Sequence, residues 1–126
     1  MRTPLIAGNF KMFKTAAETA AHVVELRGLL AGVRGVDVMI APINGAFGNL
    51  NPEEACRLAE GVGPRLLIAS HFWMFVEHGG DPARFLSGAE ALAPHTGAAV
   101  PAPGETLVVR KTADGNLTWA RETLPT

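Results

Sequence analysis

Few side chains in this 126-residue chain are equipped for chemistry, and their spacing limits what they can do. Asn9 and Lys11 lie two apart. On an extended segment that spacing puts an amide and a fixed cation on the same side. There are four histidines, His22, His71, His78 and His95, and no two are close enough to form a tight His-x-His cluster. His71 closes an apolar run and opens the aromatic stretch His71-Phe72-Trp73-Met74-Phe75. Glu77 and His78 follow in the same loop, where surface positions are the ordinary reading for both. Cys56 sits among Ala55 and Leu58 and reads as a partly buried, inert thiol rather than a nucleophile. Asp81 stands before Pro82 and reads as a helix cap rather than a ligand. Trp73 and Phe75 read as core or interface packing before pocket mouth. Gly8 and Gly48 belong to no Gly-x-Gly-x-x-Gly or Walker pattern, so a phosphate loop is excluded.

These residues need elements to position them. The run Leu5-Ile6-Ala7-Gly8 predicts a buried strand. Thr15-Ala16-Ala17-Glu18 is a capping box, and a helix is predicted from there to about Ala31. Its apolar face would carry Ala16, Ala20, Val23, Val24 and Leu30, with Glu18, His22 and Glu25 opposite. Residues 36–41 predict a second strand closed by Pro42, which makes 5–41 a β-α-β unit with parallel pairing. Residues 44–51 form a Gly/Asn loop. Asn51-Pro52-Glu53-Glu54 starts a second helix with Ala55, Leu58, Ala59 and Val62 on one face, ended by Gly61 and Gly63. Residues 65–70 predict a third strand, and 72–80 an aromatic loop ending in glycine.

Asp81-Pro82 opens a third helix carrying Phe85, Leu86, Ala89 and Leu92 and stopped at Pro94. Residues 98–100 predict a short strand. Asp114-Gly115 lies between Val108-Val109 and Leu117-Thr118-Trp119, which predicts a hairpin. The fold class is therefore α/β: a mostly parallel sheet with about three helices and a C-terminal β-hairpin, expected as one compact unit.

Bulk composition narrows the function classes. Apolar residues make up 48% and charged residues 18%, enough for a core and against disorder. The net charge of −1, with no basic run, argues against a nucleic-acid or anionic-membrane partner. A single cysteine closes no intrachain disulfide, which points to a reducing compartment. No apolar stretch approaches the roughly 20 residues of a membrane span, and the opening Met1-Arg2-Thr3-Pro4-Leu5 lacks a leader's apolar stretch. A cytoplasmic chain is expected.

The stretch Pro4-Leu5-Ile6-Ala7-Gly8-Asn9-Phe10-Lys11-Met12-Phe13-Lys14-Thr15 resembles the start of triosephosphate isomerase, whose first barrel strand ends in Gly-Asn-Trp-Lys-Met. Phe10 stands where that family usually has Trp. The likeness covers residues 1–42. It implies that Asn9 and Lys11 bind substrate at the C-terminal end of a first strand, with Lys11 a cation for an enediolate or phosphate oxygen. The family's electrophilic His, catalytic Glu, mobile loop and phosphate-binding Gly segment have no counterparts in the rest of the chain. Lys11 would thus be vestigial as a catalytic residue.

Residues 36–126 resemble another family. Ile43-Asn44-Gly45, Gly48-Asn49-Leu50-Asn51, Glu53-Glu54-Ala55, Ser70-His71-Phe72-Trp73-Met74-Phe75 and Pro103-Gly104-Glu105 follow the order seen in the C-terminal part of metallo-β-lactamase-fold hydrolases. The L-ascorbate-6-phosphate lactonase-like branch is the nearest in pattern. The resemblance implies that His71 matches the last metal-ligand histidine of a zinc or manganese site. That family takes its other ligands from an early His-x-His-x-Asp-His motif and a middle Asp, and neither motif is present here.

The two likenesses share the strand at 36–42, where each family has a buried strand followed by proline. They imply a hybrid or truncated chain, mostly a metal-dependent hydrolase remnant inactive alone, with no metal of its own expected. The alternatives are a triosephosphate isomerase fragment and a non-catalytic module that forms homo-oligomers through uncovered apolar surface.

Overall fold

The computed structural model describes residues 17, 18, 21, 24, 25, 28, 35 and 37–122. The predicted strand at 5–8, Asn9, Lys11, Thr15 and His22 lie outside the described residues.

Among the described residues, three short parallel strands form the main sheet, in the order β1-β2-β3. They are β1 (Val38–Pro42), β2 (Leu66–Ser70) and β3 (Gly97–Ala99). Val38 pairs with Leu66 and Pro42 with Ser70, while Leu66 pairs in turn with Gly97. Parallel neighbours need a crossover, and helices α1 (Pro52–Val62) and α2 (Pro82–Leu92) supply the two. A separate antiparallel pair, β4 (Thr106–Lys111) and β5 (Leu117–Glu122), is the hairpin expected from Asp114-Gly115.

Both crossover helices start where local chemistry says they should. Asn51 accepts from the Glu54 N–H at 2.9 Å, and Glu54 reaches back to the Asn51 N–H at 2.8 Å, a complete capping box. Asp81 accepts from the N–H groups of Ala83 and Arg84, with Pro82 at the first helical position. At the far end of α1 the expected stop at Gly61 is not used. Gly61 stays helical, and Gly63, in the left-handed region at φ 68°, caps the helix.

The core lies between one face of the sheet and the two helices. It comprises Ala41, Ile43, Leu67 and Ala69 against Ala55, Cys56, Ala59, Phe85, Ala89 and Ala93. So many alanines let the layers approach closely. A Cβ on Gly88 would come within 3.3 Å of Cys56 Sγ, so this glycine sets the separation of the two helices. Leu86, expected on the buried face of α2, is exposed instead. Phe85 and Ala89 face the core, and Leu86 lies one residue, about 100° of helix, away from Phe85.

The opposite sheet face receives the hairpin. Trp119 covers Gly97, the register partner of Leu66. Asp37 beside β1 pairs with Lys111 at 2.9 Å and with Arg65 at 3.8 Å, and Arg65 also donates to the Gly115 carbonyl. Ile40, on this same face by alternation with Ala41, is left 61% exposed.

Two helices with defined bounds are present among the described residues, rather than about three. Ala17, Glu18, Ala21, Val24, Glu25 and Gly28 are helical, in the span predicted for the first helix. Val24 was assigned to the apolar face of that helix but is 72% exposed. The 3.6-residue pattern locates a stripe; it does not say whether a partner covers it.

Candidate functional site

Asn44, Asn49, His71 and His78 come together at the C-terminal ends of β1 and β2. The chain leaves β1 through Ile43, whose N–H donates to the Ser70 carbonyl at 3.0 Å, and so extends the pairing by one residue. Asn44 follows and is 3% exposed. From there the Gly/Asn loop folds tightly, with the Gly45 N–H on the Leu50 carbonyl and the Asn49 N–H on the Ala46 carbonyl. His71 is the first residue after β2.

Asn44 and Asn49 both direct side-chain amides at one atom. The Nδ2 groups lie 3.5 Å and 3.4 Å from His71 Nδ1. The Ala46 N–H donates to Asn44 Oδ1 at 3.4 Å, which fixes the direction of that amide. Three non-glycine residues here sit in the left-handed region: Phe47, His71 and Trp73, at φ 56°, 55° and 54°. Such conformations are uncommon and cost free energy for residues with a Cβ, so the fold over-determines this corner.

The loop after His71 turns back onto it. The His78 ring packs edge-on against His71 at 5.0 Å, Phe75 at 5.1 Å and Phe47 at 5.5 Å between centroids. His78 was expected at the surface, but it is only 8% exposed, and its Nδ1 is buried with no hydrogen-bond partner. The return is possible because the loop ends in two glycines. A Cβ on Gly79 would lie 3.0 Å from the Asn44 carbonyl oxygen, and one on Gly80 would lie 2.8 Å from that of Ile43. Gly80 also takes φ 92°.

Around that buried ring the loop is open. Trp73, Met74, Phe75 and Val76 are all exposed, together with Glu77, and line a broad depression with His78. Trp73 and Phe75, expected in core or interface packing before a pocket mouth, lie outside the core. Asp81 caps α2, as expected. Cys56 is fully buried, its Sγ 3.5 Å from the Phe85 carbonyl oxygen, and burial raises its thiol pKa, with the Glu53 charge a smaller cause. Asn44 and Asn49 were not singled out from the sequence as site residues, although both stand in the loop motifs quoted there.

No family model matches the chain. Residues of the first segment align with triosephosphate isomerase of Pelobacter propionicus, 60% identical over 43 residues. That of Trichlorobacter lovleyi is 51% identical over the same length. A UPF0173 metal-dependent hydrolase of Caldivirga maquilingensis is 35% identical over 71 residues, 56% of this chain. Among solved structures, Igni18, a metallo hydrolase of Ignicoccus hospitalis, superposes on 75% of the chain with a TM-score of 0.55 and 18% identity. One segment matches triosephosphate isomerase; the larger part matches a metal-dependent hydrolase. At 18% identity the structural likeness concerns the fold alone. The chain spans 17% of the length of those isomerases, 31% of the hydrolase and 35% of Igni18.

The hydrolase relative's name implies a metal in that protein. The donors among the described residues do not fit one. Among the described residues no three His, Cys, Asp or Glu side chains come together as a binding group, and His71 Nδ1 faces the side-chain amide nitrogens of Asn44 and Asn49. A protein zinc site normally takes at least three ligands, with the ligating imidazole's second nitrogen donating to an acceptor.

Proposed function

We propose that the larger part of this chain is the C-terminal half of a metallo-β-lactamase-fold hydrolase of the L-ascorbate-6-phosphate lactonase-like branch, inactive alone. The observation that supports this most directly is His71. It follows a parallel strand in a sheet whose fold resembles Igni18, within the chain that is 35% identical to a metal-dependent hydrolase over 71 residues. Metal-assisted hydrolysis needs an ion held by several ligands and a bound water brought near a neutral pKa. One histidine does not provide that, and the zinc or manganese of the parent family has no matching set among the described residues. Cytoplasmic residence goes with this reading, as the single buried thiol suits a reducing compartment. Purified chain assayed for lactone hydrolysis with added zinc or manganese should give no turnover. Turnover abolished by His71→Ala would overturn the proposed inactivity.

A second reading is favoured by the 60% identity of the first segment to an isomerase. On it, Asn9 and Lys11 descend from substrate-binding residues, and the chain is a remnant of a glycolytic isomerase. The proton transfers of that reaction need a base and an electrophile that the sequence does not carry. Glyceraldehyde 3-phosphate should not be turned over; activity that disappears with Lys11→Ala would favour this reading.

A further inference from the structure

We infer that Asn44 and Asn49 hold neutral His71 in the tautomer with its proton on Nε2, so that the ring meets a ligand as a hydrogen-bond donor and does not coordinate a divalent cation. An amide nitrogen carries two N–H groups and accepts nothing. Two such nitrogens lie at 3.5 Å and 3.4 Å from His71 Nδ1, so Nδ1 is an acceptor whose single lone pair the two share. Reversing the Asn44 amide would set its NH₂ against the Ala46 N–H that Oδ1 now receives, and Asn44 is too buried for water to make good the loss.

With Nδ1 accepting, the neutral ring carries its hydrogen on Nε2, and no lone pair remains there for a metal. A ligating histidine needs the reverse arrangement, Nδ1–H donating to a carboxylate or carbonyl. Here amide donors stand where that acceptor would be. The backbone does not relieve the constraint: His71 is held at φ 55°, and its ring packs against the buried His78. Asn44 and Asn49 are therefore positioning residues. What His71 can offer is one N–H, which suits an oxygen acceptor such as a carboxylate or phosphoryl group.

The inference rests on the hydrolase reading only in treating His71 as the descendant of a metal ligand; the tautomer follows from the contacts. The test is long-range ¹H–¹⁵N correlation on chain with ¹⁵N-labelled histidine at about pH 8, where an ordinary imidazole is neutral. His71 should show a protonated Nε2 and a bare Nδ1, and excess zinc should leave its resonances in place. Asn44→Ala with Asn49→Ala should shift the ring towards a mixture of tautomers. Asn49→Ala alone, at a more open position, should do so partially, and it carries the test if the double variant fails to fold. A wild-type ring protonated at Nδ1, a tautomer unmoved in a folded variant, or a saturable zinc shift at His71 would each overturn the inference. A protonated Nε2 together with lactone turnover would instead sink the proposed inactivity and leave this inference standing.

Discussion

Trp119 occupies the space that a side chain on Gly97 would need. A Cβ built on Gly97 would lie 2.7 Å from Trp119 Cζ2 and closer still to Cη2. This contact joins the hairpin to β3, and through the pairing of Gly97 with Leu66 to the centre of the sheet. Gly97→Ala should therefore push the Trp119 ring aside and destabilise the chain by at most about 1–3 kcal/mol, the lower end if the ring, 39% exposed, swings into solvent. Chemical denaturation followed by tryptophan fluorescence measures it. A change near zero would mean that the hairpin does not bear on the sheet in this way.

The Asn51 cap serves α1 and the loop that holds the site. Its side chain satisfies the Glu54 N–H, and its Cβ would lie 3.3 Å from a Cβ on Gly45. Asn51→Ala should cost about 0.5–2 kcal/mol, typical of lost N-caps. Asp81→Ala should cost a similar amount at α2, where Asp81 accepts from two N–H groups. Equilibrium unfolding of the two variants would check both figures, and a neutral Asn51→Ala would count against the box as a stabilising feature.

What was legible in the sequence was mainly local. Asn51-Pro52, Asp81-Pro82 and Asp114-Gly115 act over three or four residues, and each begins or turns an element as expected. The strand order follows from β-α-β connectivity, although β1 begins at Val38 and leaves Asp37, within the predicted strand, outside it. What was not legible depended on contacts far apart in the chain. His78 is buried because Gly79 and Gly80 let the loop close against Ile43 and Asn44, more than thirty residues earlier. Nothing in Val-Glu-His-Gly-Gly announces that neighbour. Trp73 and Phe75 read equally as core or as interface residues in the sequence, and the loop decides against the core by turning them outward. Asn44 and Asn49 looked like turn residues. Their second use, against His71 across 27 and 22 positions, appears only when β1 and β2 lie side by side.

Cys56 should be silent to alkylation in the folded chain. Its thiol is fully buried, and burial raises its pKa above the ordinary 9.0, so little thiolate forms. The sign for stability follows. Below pH 9.0 folded and unfolded chains both keep the thiol proton. Above it the unfolded chain releases the proton first, so stability falls as pH rises until the folded thiol also ionises. Iodoacetamide at neutral pH should label Cys56 only in denaturant. Rapid labelling of native chain would show that α1 and α2 open readily at Gly88.

The exposed loop should drive association. Trp73, Met74, Phe75 and Val76 form a run of four exposed apolar residues beside His71, and Ile40 adds uncovered surface on the sheet. A run of this kind in water favours contact with another apolar surface. The small net charge offers little opposing repulsion. Light scattering at micromolar concentration should report dimers or larger species. Trp73→Ser with Phe75→Ser should shift the chain towards monomer with little loss of stability, because neither side chain belongs to the core. Tryptophan emission offers a second measure: with only Trp73 and Trp119 to report, association through the loop should move emission to shorter wavelength as concentration rises. A wild-type chain that stays monomeric, with emission independent of concentration, would remove the oligomerising reading. The exposed loop would then have to be understood as a feature of the His71 corner alone.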